Sequence, residues 1–381
     1  MKIIPIGEPK IIMSNPHSKH NYFGWPTAAR LQNGKIAVVA SGFRLRHVCP
    51  FGKTVISYSE DDGETYTLPA PVIDTVLDDR DGGILAYGKS DVIVTSFNNL
   101  VEMQRGRKSV SAYALSYLDT VTPEEEQTYY GTTYRVSHDC GVTFGPIYKS
   151  PVSSPHGPLE MPDGSILWVG RLSEDCNRTE DTDAIYAAKI DPETGASEII
   201  GKIDNLEPEN GIRPISCEPH TILLDDGRLL TQIRMQTGEP NRMFTIYQSE
   251  SSDGGKTWTK PYAILDRLGG APPHLFRHSS GMLLCTYSDR EHPTGIKAMF
   301  STDNGASWDT GHSLYVTPYG QKEDLKMPTT GHMSDSPTVA WDIGYPSTVE
   351  TRDGSLLTIF YAHPSENEPA VIMQQKWRFE Q

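Results

Sequence analysis

One unit is written six times along this chain, and no other feature limits its fold so strongly. The unit is an apolar run, a tight Asp-Gly-like or Asn-Gly-like turn, and a second apolar run, usually opened by an X-Pro step. It reads "WPTAARLQNGKIAVVASGFR" at 25–44, "SPHGPLEMPDGSILWVGR" at 154–171 and "EPHTILLDDGRLLTQIR" at 218–234. It returns as "PPHLFRHSSGMLLCTYSDR" at 272–290 and "YPSTVETRDGSLLTIFYAH" at 345–363, with a copy lacking the proline, "DRDGGILAYGKSDVIVTSF", at 79–97. The turn glycines are Gly34, Gly88, Gly164, Gly227, Gly281 and Gly354. Asn-Gly and Asp-Gly supply the positive φ angles of a tight hairpin turn, so each unit contains a hairpin. Repeats of this length that fill the whole chain are the mark of radial or solenoid architectures.

A second pattern falls between the hairpins. "SSDGGKTWT" (251–259) has close copies in "SEDDGETYT" (59–67), "SHDCGVTFG" (137–145) and "STDNGASWD" (301–309), with "DPETG" (191–195) as a decayed one. One hairpin plus one further strand pair makes a four-stranded blade, and blades repeated around an axis make a propeller. The sequence therefore predicts an all-β fold, a six-bladed β-propeller of four-stranded antiparallel blades, as one domain over 1–381. Residues 2–13 are expected to add a strand to the last blade. Counting strands from Glu218 down to Gly227 and back to Arg234 puts the boxes on the rim shared with the hairpin turns. Their role is then structural: Asp accepts backbone N–H groups, Gly takes the left-handed position and the aromatic packs between sheets.

The opposite rim gathers the ends of the innermost strands. By spacing from the turn glycines these are Trp25, Asp79, Ser154, Glu218, Pro272 and Tyr345, facing Arg44, Asn98, Arg171, Arg234, Arg290 and Tyr361 or His363. The net charge is −15, which argues against nucleic-acid or anionic-membrane partners. An acidic chain that concentrates arginines at one mouth suits an anionic small ligand held by guanidinium–carboxylate contacts. His47 lies just past Arg44 on the same rim. His156, His220 and His274 each follow the aligned proline and alternate to the other side of the strand, so packing rather than metal binding is expected of them. The five cysteines lack CxxC spacing, which fits reduced thiols in a cytoplasmic setting and no zinc site. No apolar run reaches membrane-spanning length.

Hairpins and boxes together resemble the sialidase superfamily of propellers with Asp-box (BNR) repeats, across nearly the whole chain. The resemblance implies a retaining exo-glycosidase acting on a terminal acidic sugar, a sialic or other ulosonic acid or a uronate, with no cofactor. It implies Tyr345 of "GYPS" as nucleophile, Glu218 as its base, and Arg234 and Arg290 as carboxylate ligands. Trp25, Arg44, Arg46, Arg171 and Tyr361 are further candidates for substrate binding. Two positions depart from the family pattern: Gly24 stands where its first carboxylate-binding arginine is found, and "RLRHVCPFGK" (44–53) lacks the acid/base aspartate. His47, Asp79 or Asp81 is left as the proton donor, and Arg44 or Arg46 as the replacement ligand. A carbohydrate-binding propeller without catalysis, and a lyase or hydrolase using His47, remain as alternatives.

Overall fold

The computed structural model describes residues 1–107, 110–173, 183–208, 211–236, 244–264, 269–270, 272–290, 293–317 and 342–380. It is a propeller of six antiparallel sheets. Blade 1 runs β2 (Tyr22–Arg30), β3 (Ile36–Arg44), β4 (Lys53–Ser59) and β5 (Ala70–Ile73), counted from the axis outward. Blade 2 is β6 (Arg80–Tyr87), β7 (Asp91–Phe97), β8 (Thr132–Ser137) and β9 (Tyr148–Ser150). Blade 3 has a broken inner strand, β10 (Val152–Ser153) and β11 (Leu159–Glu160), followed by β12 (Ile166–Leu172), β13 (Ile185–Ile190) and β14 (Ser197–Ile203). Blade 4 comprises β15 (Ile215–Leu223), β16 (Leu229–Gln236), β17 (Phe244–Ser251) and β18 (Tyr262–Ala263). Blade 5 comprises β19 (His274–Arg277), β20 (Leu283–Asp289), β21 (Gly295–Ser301) and β22 (Asp309–Val316). In blade 6, β23 (Gly344–Glu350), β24 (Leu356–Ala362) and β25 (Val371–Glu380) are completed by β1 (Lys2–Met13) from the other end of the chain. The expected closing strand is therefore present.

Each sheet is apolar on both faces because it packs between two neighbours. Val38, Leu284 and Phe360 are among many side chains with no measurable exposure. Blade 2 departs from the plain repeat. Between β7 and β8 the chain forms three short helices, α1 (Val101–Arg105), α2 (Ala112–Leu118) and α3 (Pro123–Tyr129), the last opened by a Thr122/Glu125 capping box. They pack on blade 1 through Tyr113 stacked on Phe51 at 4.8 Å. No described helix is long and apolar enough to cross a membrane.

The boxes are turn hardware. Asp253 accepts from the Thr257 backbone N–H at 2.9 Å and its hydroxyl at 2.6 Å, while Ser251 Oγ accepts from Gly255 N–H at 2.9 Å. Asp61, Asp139 and Asp303 repeat the pattern, and Asp191 keeps the threonine bond at 2.6 Å in the decayed copy. Asp62 of the first box accepts from Arg352 N–H in the blade 6 hairpin turn at 3.2 Å, so boxes and hairpin turns share a rim. The threonine hydroxyl and N–H hold the Asp253 carboxyl down at about 2. A carboxyl depressed in the fold adds stability above its ordinary value, and the contribution is lost as pH falls toward the depressed one. Asp253→Asn should therefore melt below the wild type at pH 6. The gap in thermal midpoint should shrink as pH falls toward 2, where the folded carboxyl is about half protonated, and a gap of undiminished size at pH 2 would mean the charge is irrelevant.

Candidate functional site

On the rim opposite the boxes, four inner strands break register at the same place. Pairing shifts between Gly24 and Thr27, Arg80 and Gly83, Cys217 and His220, and Gly344 and Ser347. Each bulge holds one side chain at positive φ: Trp25 at 54°, Asp81 at 51°, Glu218 at 50° and Tyr345 at 51°. Non-glycine residues seldom adopt this region, and where they do the surroundings must enforce it. The bulges bring Tyr345 onto Glu218 at 2.6 Å and to 6.4 Å, ring to ring, from Trp25.

The equivalence corrects the register of blade 2. Spacing from Gly88 put Asp79 in line with Glu218 and Tyr345. Yet residues 88–90 alone connect Tyr87 to Asp91, whereas 351–355 connect Glu350 to Leu356. The shorter turn moves the aligned position by two, to Asp81. Asp79 instead points into its own loop, accepting Thr75 N–H at 2.6 Å and Thr75 Oγ at 2.9 Å, and burial raises its carboxyl to about 7.

At the centre of the site, Tyr345 Oη donates to Glu218 Oε1 at 2.6 Å and Arg234 Nη1 donates to Glu218 Oε2 at 2.6 Å. The spacing that suggested this pair has a simple origin: Cys217 and Arg234 face each other on β15 and β16. Burial pushes the Glu218 carboxyl up, but Arg234, the phenol's hydrogen bond and Arg290 outweigh it and leave it below its usual range. Burial, with the charges of Glu218 and Asp81, pushes the Tyr345 phenol well up. The shared proton therefore rests on the tyrosine. Phe244 carries Arg234 over its ring at 4.4 Å, with Arg290 at 5.8 Å, which keeps the two guanidinium groups together. Arg290 also donates to the Ile343 carbonyl from Nε at 3.3 Å and Nη2 at 3.1 Å.

A third guanidinium comes from a residue that the sequence reading passed over. Arg80 places its guanidinium carbon over the Trp25 indole at 4.2 Å, and its Nε is buried without a hydrogen-bond partner. It stands 3.6 Å from Asp81 Oδ1, which is likewise buried and unbonded. Arg234 Nε is a third such atom. Buried polar groups are nearly always satisfied, so three open ones at one mouth mark where a polar ligand fits. Burial outweighs Arg80 and raises the Asp81 carboxyl to about 6.

Other candidates lie elsewhere. Arg44 is fully buried and its donors are engaged: an ion pair with Asp78 at 2.5 Å, and hydrogen bonds to Ser41 Oγ at 2.7 Å and the His47 carbonyl at 2.8 Å. It holds the scaffold and is not open to a carboxylate. Arg46 is exposed, and Arg171 pairs with Asp183 at 3.4 Å in blade 3. Trp25 and Tyr361 are 1% and 0% exposed, so they form the wall behind the site. Tyr361 Oη donates to Asp342 at 3.2 Å, and His47 Nδ1 lies 3.2 Å from the same carboxylate. Burial, together with Arg80 and Arg44, pulls the His47 imidazole down despite Asp342.

Below the floor, His156, His220 and His274 from three blades pack ring against ring with centroids 4.5 to 5.2 Å apart. His156 meets Thr27 of blade 1 at 3.1 Å, a contact between non-neighbouring blades that exists only at the axis. Burial drives all three imidazoles down, His220 to about 3. They are neutral core residues, and among the described residues no group of three or more His, Cys, Asp or Glu has the geometry to hold a metal.

Residues 121–358 match the BNR repeat-like domain family. The chain belongs to that family. This BNR-repeat protein shares the six-bladed fold of the sialidase superfamily. A protein of unknown function from Dyadobacter fermentans superposes with a TM-score of 0.71 at 18% identity, over 99% of both chains. The NanB sialidase of Streptococcus pneumoniae gives 0.62 at 14% identity, over 98% of the BNR-repeat protein and 71% of NanB. The intramolecular trans-sialidase of Ruminococcus gnavus gives 0.60 at 13% identity, over 97% of each chain. At these identities the likeness is one of fold. No curated protein sequence matches the BNR-repeat protein.

Proposed function

We propose that this protein is a retaining exo-glycoside hydrolase of the sialidase type, acting on a terminal acidic sugar, either a sialic or other ulosonic acid with its carboxylate on the anomeric carbon or a uronate. The observation that carries the reading is the relay Tyr345–Glu218–Arg234, with both contacts at 2.6 Å. A neutral phenol can approach an anomeric carbon bearing a carboxylate without charge repulsion, and a neighbouring base activates it as bonding begins. Proton transfer from Tyr345 to Glu218 is uphill in the resting site. It becomes favourable as the sugar acquires oxocarbenium character, so the phenolate is stabilised mainly in the transition state.

Arg234, Arg290 and Arg80 form the carboxylate anchor, with Arg80 of blade 2 standing in for the arginine that Gly24 lacks. Asp81 is the proton donor: its carboxyl at about 6 is protonated in mildly acidic solution, as a general acid must be. The R. gnavus enzyme of the same fold binds oseltamivir carboxylate, a ligand that bears a carboxylate.

Stereochemistry tests the reading. With an aryl α-ketoside of N-acetylneuraminic acid, or an aryl glucuronide, proton NMR should show the first-formed sugar in the configuration of the substrate. Inverted sugar would exclude the tyrosine intermediate. A product with a new double bond would assign a lyase instead, and binding without turnover a lectin-like propeller.

A further inference from the structure

Tyr345 keeps its strained φ directly after Gly344, itself at 142°, and the residues ahead of it are tied to two other elements. Gly344 pairs with Tyr361 on β24, and the Ile343 carbonyl accepts from Arg290. Asp342 is buried, and four side chains from two blades converge on its carboxylate. Tyr22 Oη donates to both oxygens at 2.9 and 2.8 Å, and Tyr361 Oη to Oδ1 at 3.2 Å. His47 Nδ1 lies 3.2 Å from Oδ1 and His363 Nε2 lies 3.0 Å from Oδ2. The other ring nitrogen of His363 faces the Glu368 carbonyl at 2.7 Å. With an acceptor on each side, His363 satisfies both only as an imidazolium.

The arrangement has a counterpart in blade 2. Asp78 stands three residues ahead of Asp81, as Asp342 stands three ahead of Tyr345. It is also fully buried, paired with Arg44 at 2.5 Å and accepting Cys49 N–H at 3.2 Å. One segment of blade 1, residues 44–49, thus holds both carboxylates. The repeat itself does not require an acid there, because Ile215 fills the same place ahead of Glu218.

We propose that Asp342 is a positioning residue: by fixing the Ile343–Gly344 turn from both blade 1 and blade 6, it holds the Tyr345 hydroxyl on Glu218. The catalytic consequence rests on the hydrolase reading above; the geometric one does not. Asp342→Asn is the test, since the amide oxygen still accepts from the tyrosines but carries no charge to balance His363. With an aryl sialoside, kcat should fall about 100-fold, the usual effect of an ångström-scale misplacement, while KM stays within threefold. A crystal structure of the variant should show Tyr345 Oη outside hydrogen-bond distance of Glu218. Histidine-selective 15N NMR at pH 7 should show the His363 imidazolium converted to the neutral ring. Tyr22→Phe, which removes one hydroxyl donor and little volume, should lower kcat about tenfold with KM again unchanged, and it replaces Asp342→Asn if that variant does not fold.

Unchanged kcat with the 2.6 Å contact retained in the variant overturns the proposal and leaves the hydrolase reading standing. A wild-type protein that turns over none of the substrates overturns the hydrolase reading. The crystal structure and the His363 signal then decide on Asp342 by themselves, and retention of both wild-type features refutes it.

Discussion

Tyr345→Phe should lower turnover of an aryl sialoside by about a thousandfold or more, the scale expected when a nucleophile is removed. The substitution deletes one buried hydroxyl and keeps the ring in place against Trp25 and Tyr361, at centroid distances of 6.4 and 6.0 Å. Glu218 keeps its bond to Arg234, so the carboxylate anchor is preserved. Affinity for the free acidic sugar, measured by calorimetry, should therefore stay within threefold of wild type. Loss of binding together with turnover would show that the phenol organises the pocket and does not attack. Turnover within tenfold of wild type would remove Tyr345 from the mechanism.

Asp81→Asn should separate substrates by their leaving groups. A general acid contributes about 10²- to 10⁴-fold where the departing oxygen needs a proton. Natural glycosides with alcohol leaving groups should lose rate on that scale, whereas an aryl glycoside with an acidic phenol should lose far less in its first step. The pH profile supplies the sign. Burial raises the Asp81 carboxyl to about 6, so the acid form disappears as pH rises through that value, and wild-type activity on poor leaving groups should fall with it. In Asp81→Asn this limb should vanish. Its survival would transfer the role of proton donor to another group, with His47 the first to examine.

The fold and half of the site were legible because both are written in the repeat. Hairpin turns and boxes recur with their chemistry intact, and Glu218 and Arg234 follow from one strand pairing. Tyr345 follows from the same alignment in the last blade. Arg80 and Asp81 were displaced because a turn of three residues, 88–90, replaces one of five, an indel that a count from the glycine cannot detect. Arg44 looked available because sequence does not reveal burial; its guanidinium is consumed by Asp78 and by carbonyls of its own loop. Asp342 carries only a weak repeat signal, since Asp78 matches it in blade 2 but Ile215 fills the same place in blade 4. Its partners Tyr22 and His47 lie 320 and 295 residues away and meet it only when blade 1 closes against blade 6.

Attack by Tyr345 would leave the sugar covalently bound to its hydroxyl oxygen. An acidic ulosonyl fluoride bearing a second fluorine beside the anomeric carbon slows breakdown of such an intermediate more than its formation. Peptide mass spectrometry after brief incubation should find the sugar mass on the Tyr345 hydroxyl, and none on Tyr345→Phe. An adduct on Glu218 or Asp81, or hydrolysis of the reagent with Tyr345 unmodified throughout, would contradict the account.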